Sequence, residues 1–178
     1  MKKLVLSSCL FLFAVTIIAQ QQKQTVPANE ILDAAYKAAT VENKKVLLIF
    51  HASWCGWCHK MDSSINNPSC KKFFTDNYII THLVVHESEG KKQLENAGAH
   101  DVLKKYKAFE SGIPFWVVLD KNGNLLYDSF IKNADGSTTI IGCPASAKEI
   151  TAFVKILKAS SSLNDKELAV IMEVFRKN

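Results

Sequence analysis

Apolar residues fall into two rhythms along this chain. Residues 46–50 (Val-Leu-Leu-Ile-Phe) form an unbroken apolar run, the mark of a strand buried on both faces. Residues 79–85 and 115–119 read as further strands. Elsewhere apolar positions recur three and four apart, the spacing of a helix with one buried face. Ile31, Leu32, Ala35, Tyr36 and Ala39 follow Asn29, a suitable N-cap. Ile150, Phe153, Val154 and Leu157 follow the capping box Ser146-x-x-Glu149. Leu168, Ile171, Met172 and Phe175 mark one face of a last helix, expected to pack on its own domain.

The connections can be read in the same way. A helix opening at Cys55 is expected to run to about Asn66, where Pro68 stops it, with a turn or short helix over 69–74. The polar, lysine-rich stretch 87–110 predicts one helix at 101–109, with Val102, Leu103 and Tyr106 inward. Lys104, Lys105 and Lys107 are then its solvated face. Asp120-Lys121-Asn122-Gly123-Asn124 is a hairpin turn joining 115–119 to a strand at 125–130. Residues 133–138 read as a polar loop. Strands alternating with helices predict an α/β domain.

Composition adds limits. The 178 residues are 48% hydrophobic, enough for one domain with its own core, and no internal repeat is visible. Lys2 and Lys3 followed by the apolar run 4–19 read as a secretory signal peptide. At 16 residues that run is short for a spanning helix, so no stable membrane span is expected after cleavage. Leu6-Ser7-Ser8-Cys9 is similar to a bacterial lipobox but sits too early in the run. The expected division is therefore signal peptide 1–19, Gln-rich polar leader 20–28, and one domain 29–178. Removing Lys2 and Lys3 from the 22 basic residues leaves 20 against 17 acidic ones. The lysines are scattered without a basic stripe, which argues against nucleic acid as a partner.

The chemistry centres on Trp54-Cys55-Gly56-Trp57-Cys58-His59, directly after the 46–50 strand. A Cys-x-x-Cys between strand and helix is a redox signature. At the first turn of a helix, free N–H groups and the helix dipole favour a thiolate at Cys55, and Cys58 lies one turn on, within reach of a disulfide. A thiol of pKa near 8.5 is about 3% ionised at pH 7, whereas one lowered to about 7 is about half ionised. Other readings stand beside this one. Cys55-x-x-Cys58-His59 also fits c-type haem attachment, though Trp54, Trp57 and the buried strand leave little room for a porphyrin. A zinc site built from Cys55, Cys58 and His59 would need a fourth ligand, and no second Cys-x-x-Cys or His-x-His pair is visible, so no metal is expected. A structural disulfide over so short a loop would be a weak staple. Cys70 and Cys143 are either a second pair or buried free thiols. Export would place all four remaining cysteines in an oxidising compartment.

The order of elements resembles the thioredoxin superfamily over about 46–157. Trp54-Cys55-Gly56-x-Cys58 after a buried strand matches its active-site motif, and Ile113-Pro114 opening a strand matches its cis-proline loop. The resemblance implies a central mixed sheet flanked by helices, here with extra N- and C-terminal helices. It implies Cys55 as attacking nucleophile, Cys58 as resolving thiol, a cis Pro114, and an Ile113 backbone that pairs with an extended substrate. It places Trp54, Gly56 and Trp57 at the docking rim. Four features depart from the family pattern. Ile49 stands where thioredoxins carry a buried aspartate, so His59, four residues after Cys55, is the candidate proton relay; a solvated histidine is the competing reading. His51 replaces the usual tryptophan, the inner dipeptide is Gly-Trp, and the segment 85–114 is longer.

These features predict a thiol–disulfide oxidoreductase of the periplasm or the secreted space. Its only cofactor would be its own Cys55–Cys58 disulfide. Its partners would be protein thiols and disulfides together with a redox partner protein. The alternative, motivated by Ile49, is a non-catalytic module that binds polypeptide in a Trp-lined groove; a haem or metal carrier is a further one.

Overall fold

The structure is a computed structural model that describes residues 25–178. The expected signal segment 1–19, and residues 20–24 of the leader, lie outside the described residues. The elements in chain order are α1 (Ala28–Glu42), β1 (Lys45–His51), α2 (Gly56–Ile65), α3 (Lys71–Asn77), β2 (Tyr78–Val84), α4 (Ala99–Lys105), β3 (Phe115–Leu119), β4 (Leu125–Asp128), β5 (Phe130–Lys132), β6 (Thr138–Ile140), α5 (Ala147–Ser160) and α6 (Asp165–Phe175). A single 3₁₀ turn, Lys92–Leu94, lies between β2 and α4.

The main sheet has the order β2-β1-β3-β4. β1 runs parallel to β2 and antiparallel to β3, with Phe50 opposite Leu83 on one side and Phe115 on the other. The sheet is therefore mixed, with β1 central and helices on both faces, as the resemblance implies. The 46–50 run lacks alternation because both faces of β1 are covered. Val46, Leu48 and Phe50 join Phe115, Val117 and Leu119 under α1 and α4. Leu47 and Ile49 join Trp116 and Val118 under α2, α3, α5 and α6. Each such side chain, fully buried, contributes on the order of 1.5–3 kcal/mol.

The last helix docks on this second layer. Leu168, Ile171, Val174 and Phe175 are buried in it, and the Phe175 ring lies 5.1 Å from that of Phe153 on α5. Of the expected face, Met172 is only partly buried and Val174 takes its place. The capping box at Ser146 and Glu149 forms as the sequence predicts, and Asn164 with Glu167 forms a second at the start of α6.

Three boundaries differ from expectation, each for a local reason. α1 starts at Ala28 with Pro27, not Asn29, at the N-cap. Its first free donor, the Ala28 N–H, bonds the Ala97 carbonyl at 2.9 Å, so no side-chain cap is needed. Thr25 Oγ1 likewise donates to the Glu95 carbonyl at 2.7 Å, which ties the end of the polar leader to the 85–114 segment. α4 occupies Ala99–Lys105 rather than 101–109, because Gly98 (φ 82°) precedes it and Lys107 (φ 57°) turns the chain out of helix.

The strand expected at 125–130 is divided at Ser129. This buried residue donates its N–H to the Trp116 carbonyl at 3.0 Å, and its Oγ accepts the Trp116 N–H at 3.2 Å. Its carbonyl accepts the Ile141 N–H at 2.7 Å. The chain thereby passes from β4 into a separate two-stranded sheet, β5-β6, whose second strand begins at Thr138, the last residue of the stretch read as a polar loop.

Candidate active site

Antiparallel pairing of β1 with β3 brings the end of one strand beside the start of the other. Phe50 and Phe115 are partners, so the loop after β1 and the loop before β3 meet at one end of these two central strands. The first carries Cys55 and Cys58, the second Ile113 and Pro114.

Cys55 is the N-cap of α2. Its backbone is extended, and its sulfur accepts the Cys58 N–H at 3.1 Å, as a side-chain oxygen does at an ordinary N-cap. Cys55 and Cys58 form a disulfide with Cα atoms 5.2 Å apart. Both residues are buried: Cys55 is 3% exposed and Cys58 1%. Ala52 and Ile113 pack against the pair. The Ile113–Pro114 peptide bond is cis, and the Ile113 carbonyl oxygen lies 3.6 Å from the Cys55 sulfur. Gly142 backs this loop with φ 62°, and its carbonyl accepts the Trp116 indole N–H at 2.9 Å.

The rim is apolar and exposed. Trp54 and Trp57 are 57% and 48% exposed, and Gly56 lies between Trp57 and Cys55. A Cβ at Gly56 would meet nothing within 4 Å, so this position on the rim is open to solvent. The Lys60 ammonium sits 4.5 Å from the centre of the Trp57 ring, a cation–π contact. Beside Trp57 and Ile113 a cavity of about 220 Å³ is bordered by Ile141, Gly142 and Cys143.

The structure gathers Cys55, Cys58, Trp57, Ile113 and Pro114 in one place, with Trp54 and Gly56 on the adjoining loop. His59 has a different setting. Its Nε2 is 3.0 Å from the Ser53 carbonyl, to which it donates, and the ring is exposed. Ile49 is core, opposite Trp116. His51 lies 4.9 Å from His82, whose Nε2 is 2.8 Å from an Asp62 carboxylate oxygen. Burial, and next the neighbouring His82, hold the His51 ring below its usual pKa.

Two residues at the site, Glu87 and its partner Ser53, were missed from sequence. Glu87 is buried, and its carboxylate accepts the Ser53 N–H at 2.6 Å and the Ser53 hydroxyl at 2.8 Å. Nothing in the sequence singled out Glu87, which follows His86 at the start of a polar, charged stretch. Cys70 and Cys143 are free and buried rather than paired. The Cys70 thiol donates to the Ser64 carbonyl at 3.2 Å, and the Cys143 sulfur accepts the Asn178 side-chain N–H at 3.3 Å. Burial pushes Cys70 up to about 11 and Cys143 up to about 12, so both are protonated at neutral pH. Among the described residues, no three His, Cys, Asp or Glu side chains are grouped to hold a metal ion, and no helix is long and apolar enough to cross a membrane.

A family model described as thioredoxin-like matches residues 28–121, more than half of the chain. Solved structures similar to it include a disulphide isomerase from Xylella fastidiosa, at 21% identity over 84% of this chain and 89% of that one, with a TM-score of 0.48. A DsbH oxidoreductase is 21% identical over 88% and 96%, with a TM-score of 0.46. The oxidised C-terminal domain of Neisseria meningitidis DsbD is 19% identical over 59% and 84%, with a TM-score of 0.43. Among curated proteins, none matches this chain.

Proposed function

Because this chain belongs to the thioredoxin-like family, we propose that it is a thiol–disulfide oxidoreductase working on protein substrates through Cys55 and Cys58. The observation that carries this reading is the contact between two loops. A closed Cys-x-x-Cys disulfide caps a helix and lies directly against the Ile113–Pro114 turn, under two exposed tryptophans.

The reaction balances as a two-electron exchange. In the reduced protein, the Cys55 thiolate attacks a substrate disulfide, forms a mixed disulfide and releases one substrate thiolate. The Cys58 thiolate then attacks the Cys55 sulfur, displaces the second substrate thiolate and closes Cys55–Cys58. Two electrons pass from the enzyme dithiol to the substrate, which takes up two protons as its thiols form. Run backwards, the same steps oxidise a substrate dithiol. Known pairs of this kind span about 150 mV, or about 7 kcal/mol, and the donor or acceptor protein sets the direction.

The chain's own groups assist in definite ways. The Cys58 N–H and the dipole of α2 favour negative charge on Cys55. The Ile113 backbone offers an edge to an extended substrate, and Trp54 and Trp57 wall the approach. His59 remains a candidate for carrying protons to and from solvent, through a ring otherwise held by Ser53. The apolar segment 4–19 after Lys2 and Lys3 supports export, hence action in the periplasm or outside the cell.

Insulin reduction by dithiothreitol tests the activity. Wild type accelerates it and Cys55→Ser abolishes the acceleration. Equal turnover by the two proteins would overturn the reading and favour a non-catalytic binding module.

A further inference from the structure

Glu87 is 3% exposed, and among the described residues both of its oxygens bond to a single partner, Ser53. Burying a carboxylate costs several kcal/mol unless hydrogen bonds offset the loss of water. Nothing in the hydrophobic core requires one here. What it does is hold the residue two before Cys55 by both its backbone N–H and its hydroxyl. The Ser53 carbonyl is taken by His59 from α2. Every polar group of Ser53 is thus engaged.

The next residue is held by the same segment. The Trp54 indole N–H donates to the His86 carbonyl at 2.8 Å, adjacent to Glu87. Trp54 therefore keeps its one polar atom satisfied while more than half of its surface faces solvent. The clamp is itself anchored from behind. The Glu87 N–H donates to the Glu95 carboxylate at 2.8 Å, and the His86 N–H to His100 Nε2 at 3.2 Å. His86 adopts φ 53°, a left-handed conformation that turns its carbonyl and the Glu87 side chain to this loop.

Resting on the oxidoreductase reading above, we propose that Glu87 is a positioning residue: with the His86 carbonyl it fixes Ser53 and Trp54 as a rigid docking wall that selects polypeptide disulfides over small ones. A polypeptide must lie along this wall to bring its sulfur in line with Cys55. A small disulfide reaches the same sulfur without it. Rigid exposed aromatic surface is low in ordering cost for a binding partner, so loosening the clamp weakens the polypeptide reaction selectively.

The test compares kcat/KM for insulin with kcat/KM for glutathione disulfide, in wild type, Glu87→Ala and Glu87→Gln. Misplacement of a docking element by a fraction of an ångström predicts about a tenfold loss on insulin for Glu87→Ala, carried mainly in KM, and less than about a threefold loss on glutathione disulfide. Glu87→Gln keeps an acceptor for the Ser53 N–H and falls between. Ser53→Ala, which removes the hydroxyl donor and spares the carboxylate, gives a smaller loss with the same selectivity and serves if Glu87→Ala does not fold. Acrylamide quenching of Trp54 fluorescence, read against Trp54→Phe, rises in Glu87→Ala. Equal fold-losses on both substrates, or full insulin activity in Glu87→Ala and Ser53→Ala, overturn the proposal while leaving the oxidoreductase reading intact. A wild type inactive on both substrates overturns that reading, and the inference with it.

Discussion

The Cys55 sulfur rests 3.6 Å from the carbonyl oxygen of Ile113, a residue 58 positions later in the chain. The two sulfurs of the disulfide have unequal surroundings. Cys55 caps α2 and borders the Ile113–Pro114 turn, while Cys58 faces inward at 1% exposure. On reduction, limiting iodoacetamide at pH 7 is expected to modify Cys55 at least about tenfold faster than Cys58, since the N-cap position and the dipole of α2 favour the thiolate at Cys55. Peptide mass mapping checks it. Faster labelling of Cys58 would reverse the assigned roles.

Ser129 hands the chain from one sheet to the other. Ser129→Ala removes the acceptor of the buried Trp116 N–H, which is expected to cost about 1–3 kcal/mol. Urea unfolding measures the loss. The hairpin β5-β6 is expected to show the largest rise in amide exchange, because its first strand begins at the next residue.

Gly123 turns the hairpin after β3 with φ 80°, and a Cβ there would lie 2.9 Å from the Tyr36 ring. Gly123→Ala meets strain in the backbone and a clash with α1 together. It is expected to destabilise by more than about 1 kcal/mol. A fall in Tm with unchanged reactivity of Cys55 is the expected pattern, because this turn lies at the opposite end of β3 from Pro114.

Stability should fall on both sides of neutrality. His51 is lowered from 6.5 by burial and His82, with Asp62 and Glu87 opposing and His59 adding to the shift. His86 is lowered from 6.5 by burial and His100. Below pH 6.5 the unfolded chain therefore binds more protons than the folded one, and stability drops as pH falls through that window. At the alkaline end, Cys70 and Cys143 stay protonated in the fold while the unfolded thiols ionise near 9.0, so stability drops again as pH rises past that value. Urea midpoints between pH 5 and pH 10 check both limbs. His51→Asn is expected to flatten the acid limb, and Cys143→Ala the alkaline one.

The central strands were legible because burial on both faces leaves a simple trace, an unbroken apolar run such as 46–50. The capping box at Ser146 was legible for a comparable reason: its two partners are three residues apart in sequence. The Cys55–Cys58 motif and the Ile113-Pro114 pair were each readable alone. Their contact followed only from the family resemblance, because the residue pattern alone does not fix how β1 registers with β3. Glu87 was lost among the charges of 87–110, where nothing in the sequence distinguishes a carboxylate turned inward from its solvated neighbours. Ser129 was hidden inside what reads as one continuous strand. A hydroxyl at an apolar position gives no notice that it will replace a backbone acceptor.

The antiparallel pairing of β1 and β3 has a consequence for biogenesis. During synthesis the cysteine motif emerges about sixty residues ahead of the proline turn, so for that interval its thiols exist without the partner loop. Disulfide exchange guided by both loops begins only when β3 has zipped onto β1.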